Sequence, residues 1–549
     1  MQIVHRGEGV GGKYPAYTRT KGALSLAVPR VRALVGRHPA TPQRTGLFAP
    51  ASRGMQAGLK GSVSGPAQSV RLRGLLPGAR SNVSLDEDSD RVRAMSDDLP
   101  ELTRLLSPGA VVTDDGIIEG YLRDRAATVP AGRARAVVRP RTVAEVSSTL
   151  RWATENAVPV VPRGAGTGLS GGANAIDGCL MLSLERLTAI REVNVAQQCA
   201  VVEAGVLNAD LGRAAAAVGM FYPPDPGSFE ICTIGGNLAT NAGGMRCVKY
   251  GVTRDSALGL EVVLADSKVL STGSGARKDV AGYDLTSLFI GSEGTLGVIT
   301  SATLRIRPRP PRDPVTFVAS FPSLEGIGHA VDAIAATGVV PSMLELIDQA
   351  TVNAIEDYRR MDLDRSAAGL LIGQADGAAA DDDVRRMTQC CENAGADLVV
   401  QATTAEESDL LLEARRLCGT AVMAAGPTVI EDVCVRPGQL AEMLVAVQQV
   451  SADSGIPIAT TAHAGDGNLH PVLMLPDLSA DTIARAMAAG ERLCDHARRL
   501  GGTITGEHGV GVLKQAWLRQ QLGPASLAVH QAIKAALDPV GILNPGRSF

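Results

Sequence analysis

From Ala134 onward, apolar and polar positions follow two periods in turn, which predicts short strands interspersed with helices. ARAVVRP predicts a strand, TVAEVSSTLRWATENA an amphipathic helix capped by Thr142, and VPVVPRG a second strand. LNADLGRAAAAVG predicts a further helix, and LGLEVVLADSKVLSTG predicts two strands joined by a turn at Ala-Asp-Ser. No internal repeat is visible, so the pattern indicates a mixed globular fold.

The Pro-rich stretch RIRPRPPRDP, residues 305–314, predicts a linker between two such regions. The second region continues through alternating helices and strands to about residue 510, and a closing helix precedes LDPVGILNPGRSF. A chain of 549 residues is long enough for two or three domains. We therefore expect one domain at 95–313, a second at 314–510, and a C-terminal segment at 511–549 that returns to the first.

The N-terminal segment has a different composition. The first 80 residues hold 13 Lys or Arg and a single acidic residue, Glu8, and neither period persists there. This is typical of a disordered segment, or of an Arg-rich, acid-poor transit peptide. MSDDLPELTRLL, from Met95, reads instead like the start of a protein, with Ser96 as a helix cap. We interpret residues 1–94 as an over-long translated start, with a transit peptide as the alternative.

Composition and charge argue against several classes of protein. The net charge of -4 gives no electrostatic basis for nucleic-acid binding, and no apolar run reaches the ~18 residues of a membrane span. The nine cysteines contain no C-x-x-C, which suits a reducing compartment and supplies no iron–sulfur ligand run. We expect a cytoplasmic protein that reaches a membrane only through a partner, or a mitochondrial one if the transit peptide is genuine.

A glycine-rich loop follows the second predicted strand, in VPVVPRGAGTGLSGGANAIDG. It contains G-x-G-x-x-G at Gly166, Gly168 and Gly171, but no helix opens there, as the Rossmann dinucleotide fingerprint requires. The apolar run CLMLSL follows, so the predicted order is strand, loop, strand. Five glycines within nine residues favour a backbone nest for phosphate over a structural turn.

HAGDGNLH, residues 463–470, places two of the chain's eight histidines around a Gly-Asp-Gly-Asn core. A two-residue hairpin turn at Asp466-Gly467 would pair His463 directly with His470. Their Cβ atoms would then lie about 5 Å apart on one face, which suits two imidazoles on one ion. The spacing alone leaves a metal site and two ordinary loop histidines equally open.

Several motifs together resemble the FAD-binding domain of the vanillyl-alcohol-oxidase superfamily: PRGAGTGLSGG, PPDPGS, TIGGNLATNAGG, KYGVTRD and GSEGTLGVIT. Within it, HAGDGNLH and GEHGVGVLK resemble the FAD-linked D-2-hydroxyacid dehydrogenases, which include D-lactate dehydrogenases and the flavin subunit of glycolate oxidase. The resemblance covers roughly Ala134 to the end. It implies an α+β fold, with a two-part FAD-binding domain of the PCMH type at 95–313 and an α+β substrate or cap domain with an antiparallel sheet at 314–510.

The resemblance also assigns the cofactor contacts. Small residues would let the main chain approach the flavin and its pyrophosphate. The first loop lacks the histidine that the covalent members carry there, so the FAD should be noncovalent. The implied FAD-binding residues are Arg163, Gly164, Ala165, Gly166, Thr167, Gly168, Leu169, Ser170, Pro224, Asp225, Ser228, Gly235, Gly236, Asn237, Asn241, Gly244, Tyr250, Gly297, Val298, Ile299 and Asn544.

For the chemistry, TGEHGVG adds Glu507 and His508 to the two histidines. The resemblance implies that His463, His470 and Glu507 hold a divalent ion. Zn²⁺ fits two imidazoles and one carboxylate, although Mn, Co and Fe also accept these ligands. The ion would bind the substrate hydroxyl, and His508 would act as the catalytic base that takes its proton.

A carboxylate substrate needs an arginine that can form two parallel hydrogen bonds. LLEARRLCG offers Arg415, which matches the family's substrate arginine, and Arg416, which fits a solvated helix charge better. The 2-hydroxyglutarate enzymes of the family bind a second carboxylate at positions that correspond here to Gly419, Ile430 and Val472. Because these residues offer it no partner, we expect a short or apolar acid, D-lactate-like or glycolate.

The resemblance therefore implies FAD-dependent oxidation of a small D-2-hydroxy acid to the 2-oxo acid, with the hydride passing to flavin N5. The electrons would go to a separate acceptor: a quinone, a cytochrome, an electron-transfer flavoprotein or an iron–sulfur partner subunit. Two alternatives stay open. A noncatalytic flavin relay subunit would need FAD but no metal triad, and an alkylglycerone-phosphate-synthase-like transferase would act on a phosphate-rich substrate without net oxidation.

Overall fold

The protein is described by a computed structural model that covers residues 99–548. The expected N-terminal extension, the start at Met95 and the cap at Ser96 lie outside the described residues. Within 99–548, none of the helices is long and apolar enough to cross a bilayer.

A four-stranded sheet of order β1-β2-β4-β3 comes first within the described residues; β2, β4 and β3 are parallel, and β1 is antiparallel to β2. Leu150 and Trp152 pack against one face, and Val161 and Met181 belong to the cluster on the other. The expected cap is present, since the Thr142 hydroxyl accepts the Glu145 N–H. The elements are α1 (Leu99–Leu105), β1 (Val111–Val112), α2 (Asp115–Glu119), β2 (Ala136–Val138), α3 (Val143–Glu155), β3 (Val160–Arg163) and β4 (Leu180–Ser183).

A five-stranded antiparallel sheet of order β5-β6-β10-β8-β9 follows. The expected hairpin at Ala-Asp-Ser joins β8 to β9. The elements are β5 (Ile190–Asn194), β6 (Cys199–Glu203), α4 (Asn208–Ala216), β7 (Met220–Phe221), α5 (Ile234–Thr240), α6 (Cys247–Tyr250), α7 (Thr253–Ser256), β8 (Ala257–Val263), β9 (Val269–Thr272), α8 (Leu285–Phe289), β10 (Val298–Arg305) and β11 (Arg307–Pro308).

The third sheet is antiparallel, with the order β15-β12-β14-β13-β18-β19-β16 and β17 also paired with β19. Helices cover both of its faces. The elements are β12 (Val315–Phe321), α9 (Leu324–Ala336), β13 (Met343–Asp348), α10 (Gln349–Tyr358), β14 (Gly369–Ala375), α11 (Ala380–Asn393), β15 (Leu398–Gln401), α12 (Ala405–Ala424), β16 (Thr428–Ile430), β17 (Val433–Cys434), α13 (Leu440–Ser454), β18 (Ile458–His463), β19 (Asn468–Met474), α14 (Ala480–Arg499) and α15 (Gln515–Leu537).

After α15 the chain returns to the first sheet. Val160 and Leu543 form a parallel bridge, and the Asn544 N–H donates to the Val160 carbonyl at 2.8 Å. We retain the domain limits 95–313, 314–510 and 511–549 as a proposal, because β12 starts just after the linker and the C-terminal residues contact the first sheet.

HAGDGNLH forms a hairpin, but its predicted register was wrong. Asn468 lies opposite His463, and His470 lies opposite Thr461, so a four-residue turn at 464–467 replaces the two-residue turn. The register differs by two residues, an even number. Both histidines therefore still project from one face of the sheet, as diagonal rather than direct neighbours.

The wider turn has an identifiable cause in tertiary packing. A Cβ on Gly465 would lie 2.6 Å from the Val248 side chain, so this turn rests directly on helix α6. Backbone N–H groups of Asp466 and Gly467 both donate to the His463 carbonyl, and of these two residues only Gly467 has a positive φ. The turn that the sequence favours locally is replaced by one that fits the neighbouring domain.

Candidate active site

His463, His470 and Glu507 lie together, as the sequence predicts for a metal site. Glu507 Oε1 is 3.2 Å from His463 Nε2 and 3.1 Å from His470 Nε2. The two rings meet edge to face, with centroids 5.0 Å apart. One potential ligand atom from each side chain lies within 4.8 Å of the others, which fits a single divalent ion among two nitrogens and an oxygen.

Each histidine of this set has a buried carboxylate behind it. His463 Nδ1 lies 2.8 Å from Glu345 Oε1, and His470 Nδ1 lies 3.6 Å from Asp432 Oδ1. Carboxylates behind metal-binding histidines fix the ring orientation and raise the basicity of the ligand. Sequence analysis missed both. The available signal was an acid at an inward position of the apolar strand LELID, and an acid between two short strands in VIEDV.

Charges in this cluster are strongly coupled. Burial alone would lower the pKa of His463, but the carboxylates of Glu345 and Glu507 outweigh burial and hold this pKa well above its ordinary value. Burial would raise the pKa of Glu507, yet the neighbouring histidines, His463 first, hold it well below its usual range. The structure thus favours a protonated His463 beside an ionised Glu507, and a metal ion would have to displace that proton.

Asp432 also holds the turn that carries Glu507 and His508. Its Oδ2 accepts the Thr505 hydroxyl at 2.6 Å and the backbone N–H groups of Gly506, Glu507 and His508 at 2.8, 3.0 and 3.0 Å. Hydrogen bonds to a carboxylate favour its charged form. Asp432 is therefore a fixed anion around which the turn carrying Glu507 and His508 is folded.

Beneath Asp432 lies a buried ammonium group. Lys514 Nζ donates to the backbone carbonyls of Asp432 and Ile504 at 2.6 and 2.8 Å and lies 3.0 Å from Glu431 Oε2. Burial alone would lower the pKa of Lys514, but Glu431 and Asp432 hold it above its ordinary value. This pair anchors the base of the site.

His508 stacks on His470, with ring centroids 4.7 Å apart and planes at 11°. Its Nε2 faces the ligand set, 3.8 Å from Glu507 Oε1, and its Nδ1 is buried with no hydrogen-bond partner among residues 99–548. Burial lowers the pKa of His508 to about 4, against the opposing charge of Asp432. The ring is therefore neutral at pH 7 and able to accept a proton, although it is a weaker base than an ordinary histidine.

The two candidate arginines on α12 lie in different surroundings. Arg415 Nε donates to Glu345 Oε2 at 2.7 Å, which places its guanidinium beside the histidine cluster. Arg416 points outward and pairs with Asp409 on the same helix, at 3.2 Å, with more than half of its side chain exposed. Of the two, only Arg415 is placed to meet a substrate bound at the cluster.

Apolar side chains continue the sheet face beyond the histidines. Val472 lies two residues after His470 and pairs with Ile430 across β19 and β16. Gly419, one turn after Arg415 on α12, leaves open space that only the end of Met423 borders. This side of the cluster offers no charged partner from these positions.

The glycine loop joins β3 to β4, and residues 164–179 contain no helix, as expected. A cleft of about 850 Å³ opens where Arg163, Gly164 and Ala165 face Leu207 and Thr233. A Cβ on Gly164 would lie 2.4 Å from the Thr233 hydroxyl at the start of α5, so only glycine allows this approach. The glycine loop and the start of α5 thus line a common cleft, and the closely packed, glycine-rich backbone of the loop suits a phosphate group.

Three of the predicted FAD-binding residues have buried polar atoms without hydrogen-bond partners in the described part of the chain: Arg163 Nη1, Asn237 Nδ2 and Asn544 Oδ1. Buried polar atoms are normally paired, so these three need partners that residues 99–548 do not supply. They come from three separate segments that converge on the glycine loop. These residues therefore fit a polar cofactor such as FAD.

Other predicted FAD-binding residues have structural duties. Ser170 donates its hydroxyl to the Gly509 carbonyl at 2.9 Å, and Asn241 ends α5 in the left-handed conformation. Val298 and Ile299 lie in apolar clusters, so only their main chain could contact a ligand. The Tyr250 hydroxyl bonds to Asp376 of the third-sheet region.

The backbone also packs closely against its neighbours at the glycines expected to line the flavin. A Cβ on Gly235 would lie 2.6 Å from Ala204 Cβ, and one on Gly244 would lie 2.4 Å from the Asp225 carbonyl. Burial raises the pKa of Asp225 to about 6, although Arg246 opposes the shift.

The FAD-binding region and the histidine cluster meet at Gly243. A Cβ on Gly243 would lie 2.3 Å from Glu507 Oε2. Gly243 belongs to TIGGNLATNAGG, the segment expected to line the flavin. Glu507, one of the candidate metal ligands, therefore lies directly against that segment.

Comparison with known proteins gives the family. Residues 134–273 match the FAD binding domain and residues 310–548 match the C-terminal domain of FAD linked oxidases. Glycolate oxidase subunit GlcD of Bacillus subtilis (strain 168) is 42% identical over 417 residues, 75% of this chain and 88% of that protein. D-lactate dehydrogenase of Archaeoglobus fulgidus is 36% identical over 416 residues, 75% of this chain and 90% of that one. Among solved structures, 4-ethylphenol oxidase from Gulosibacter chungangensis shares the fold, with a TM-score of 0.68, 19% identity, and 85% and 98% of the two chains covered.

The fold and the matched domains define an FAD-dependent oxidoreductase with the vanillyl-alcohol-oxidase architecture. Within that class, the chain belongs to the FAD-linked D-2-hydroxyacid dehydrogenase family. The resemblance drawn from the motifs is confirmed, as are the FAD cofactor and the α+β fold class, with its PCMH-type FAD-binding domain and antiparallel-sheet domain.

Proposed function

We propose that this enzyme oxidises a small D-2-hydroxy acid, of the D-lactate or glycolate type, to the 2-oxo acid. One observation carries the proposal: His463, His470 and Glu507 form one cluster, and its Glu507 lies against the glycine segment expected to line the flavin. Relatives named glycolate oxidase subunit and D-lactate dehydrogenase support the choice of substrate class.

The substrate carboxylate binds Arg415 in this proposal. Glu345 accepts a hydrogen bond from Nε and so fixes the plane of the guanidinium group. The two terminal amino groups then form the paired bonds that arginine makes with carboxylates. Val472 and Ile430 flank the Cα substituent, which favours hydrogen or a short alkyl group over a second carboxylate.

His508 acts as the base, taking the hydroxyl proton at Nε2, the nitrogen that faces the ligand set. A base whose pKa is about 4 needs an acidified alcohol. His463, His470 and Glu507 fit a divalent ion, with Zn²⁺ as the best match, and such an ion would lower the pKa of the bound hydroxyl. Glu345 holds the His463 ring by a hydrogen bond to Nδ1, and Asp432 lies 3.6 Å from His470 Nδ1.

FAD lies along the glycine loop and α5 in this proposal, and when bound it supplies the hydride acceptor at N5. Arg163, Asn237 and Asn544 offer it their unpaired polar atoms. The electrons then leave to a separate acceptor: a quinone, a cytochrome, an electron-transfer flavoprotein or an iron–sulfur partner subunit.

Anaerobic titration of the purified, FAD-containing protein with a panel of D-2-hydroxy acids tests the proposal. D-lactate or glycolate should bleach the flavin absorbance, and L-lactate should not. Faster bleaching by D-2-hydroxyglutarate would contradict the apolar substrate side. No bleaching by any acid would favour a relay subunit, or a transferase if a phosphate-bearing substrate were converted without reducing a dye.

The FAD should also be dissociable, because the glycine loop carries no histidine to form a covalent link. Acid precipitation of the purified protein should therefore release the yellow colour into the supernatant. Colour that stays in the pellet would show a covalent flavin.

A further inference from the structure

The turn that carries Glu507 and His508 is held from two directions. Asp432, on the third-sheet side, accepts the N–H groups of residues 506–508. The part after His508 is held instead by the FAD-binding region. His508 therefore lies where the two sets of contacts meet.

Glu293 makes the main contact from the FAD-binding side. Its Oε1 accepts the Val510 N–H and its Oε2 accepts the Gly511 N–H, both at 2.7 Å. Each carboxylate oxygen thus accepts one hydrogen bond, and the two donors are successive backbone amides. These bonds join residues that are 217 and 218 positions apart in the sequence. Ser170 supports the same turn by donating its hydroxyl to the Gly509 carbonyl at 2.9 Å.

Two features of the backbone accompany this contact. Glu293 has φ 52°, a left-handed conformation that costs free energy for a residue other than glycine. Such residues are found preferentially at functional sites. The turn itself contains Gly509 and Gly511, both with positive φ. A backbone with two such glycines has wide conformational freedom, so its position depends on external contacts.

We propose that Glu293 is a positioning residue for the oxidation: it fixes the turn so that His508 stands at the right distance from both the bound substrate and the flavin side. This inference rests on the proposed function. Loss of either amide contact lets the turn move relative to the FAD-binding region while Asp432 still holds the metal ligands. A displacement of about 1 Å is enough to cost on the order of a hundredfold in rate.

The test compares Glu293→Gln with Glu261→Gln in the FAD- and metal-containing enzyme. A glutamine side chain has one acceptor oxygen, so it can accept a hydrogen bond from only one of the two backbone N–H groups. Its NH₂ group is a donor and would face the other N–H without forming a hydrogen bond. Glu261 is a matched control, because it is a carboxylate of the same region whose partners, Thr300 and Ser301, are far from the turn in sequence and carry no proposed role. Rapid-mixing absorbance under anaerobic conditions measures flavin reduction at a series of D-lactate concentrations.

We expect Glu293→Gln to lower the limiting rate of flavin reduction by about ten- to a hundredfold. The D-lactate dissociation constant, the FAD content and the metal content should match those of Glu261→Gln. A rate equal to that of the control would overturn the inference, and so would loss of FAD or metal in proportion to the rate, which is the signature of a purely structural residue.

A second variant, Glu293→Asp, covers the case in which glutamine prevents folding. It keeps the charge but shortens the reach, so it retains part of the grip, and its limiting rate should fall between those of Glu293→Gln and the wild type. A wild-type rate in Glu293→Asp would overturn the inference. Failure of the wild-type flavin to be reduced by any D-2-hydroxy acid would refute the proposed function first, and the role of Glu293 with it.

Discussion

The FAD-binding region and the third-sheet region surround the candidate active site with different chemical groups. The first uses backbone at close range, as at Gly164, Gly235 and Gly243, where an added Cβ would meet other atoms at 2.4, 2.6 and 2.3 Å. The second uses charged side chains, such as Glu345 and Asp432, which are fully buried. Glycine lets a main chain approach a ligand, whereas buried charges are stable only when paired.

This difference predicts two kinds of sensitivity. Where the site is made of backbone, one added methyl group is enough to disturb it, although no charge changes. Where it is made of paired charges, a replacement of the same size fills the space but leaves a partner uncompensated. Substitutions that change only size, or only charge, therefore separate the two regions.

The largest effect is expected from Glu507 and His508, to which the proposed function gives separate roles. His508→Ala should retain metal and substrate binding but reduce the flavin about 10²–10⁴-fold more slowly, because it lacks the base. Glu507→Ala, like His463→Ala and His470→Ala, should lose bound metal and oxidation together while keeping FAD. Metal content by elemental analysis and rapid-mixing absorbance measure both quantities.

Equal loss of metal from the His508→Ala and Glu507→Ala proteins would contradict this division of roles and make His508 a ligand. The Asp432–His470–His508 group, whose ligand atoms also lie within 4.8 Å of one another, is the set that such a result would favour.

Next in size is a steric change on the backbone side. Gly243→Ala places a Cβ 2.3 Å from Glu507 Oε2, so the carboxylate must move, and we expect oxidation to fall by on the order of a hundredfold. Gly212→Ala, on α4, has nothing within 4 Å of the new Cβ and is the matched control. Equal activity of the two variants would contradict the predicted sensitivity of the FAD-binding region to added atoms.

A smaller loss is expected when one cation replaces another. Arg415→Lys keeps the charge but cannot reproduce a bidentate grip, so D-lactate binding and oxidation together should weaken by roughly tenfold or more. Arg416→Lys, in the exposed pair with Asp409, should have little effect. Initial rates over a range of D-lactate concentrations measure both variants, and equal losses would mean that the other arginine binds the substrate.

The smallest predicted effect concerns the number of protons released when the metal ion binds. The carboxylates of Glu345 and Glu507 hold the pKa of His463 well above its ordinary value, so at pH 7 the ring carries a proton that a bound Zn²⁺ ion would have to displace. Binding should release about one proton, and metal affinity should rise with pH until that pKa is passed. Glu345→Gln removes a carboxylate that raises this pKa, so it should release fewer protons in a pH-stat titration, and an unchanged count would contradict the assignment.

The sequence predicts best what depends on neighbours along the chain. The Thr142 cap, the Ala-Asp-Ser hairpin and the strand-loop-strand order around the glycine loop all follow from local preferences, and all are present. The two histidines were expected to share a face, which they do. Their register was wrong because the turn is fitted to Val248, more than 200 residues earlier in the chain, and no local pattern reports that contact.

The carboxylates that support the histidines and the turn could not be predicted from the sequence for the same reason. The bond between His463 and Glu345 spans 118 residues, and the contacts of Glu293 span more than 200. A lone acid in an apolar strand indicates that some partner exists, but not which one. Likewise, the hydrogen bond between the Tyr250 hydroxyl and Asp376 spans 126 residues, and KYGVTRD gives no sign of it.

The pairing of the chain's last residues with β3 has a consequence for biosynthesis. Asn544 donates from its side-chain amide to the carbonyl of Gly172 in the glycine loop, 372 residues earlier. Ribosomes add roughly 5–20 residues per second, so the loop emerges about 20 to 75 s before the residue that completes it. The glycine loop therefore cannot complete its packing until residue 544 has left the ribosome, because the contact that Asn544 makes cannot form earlier.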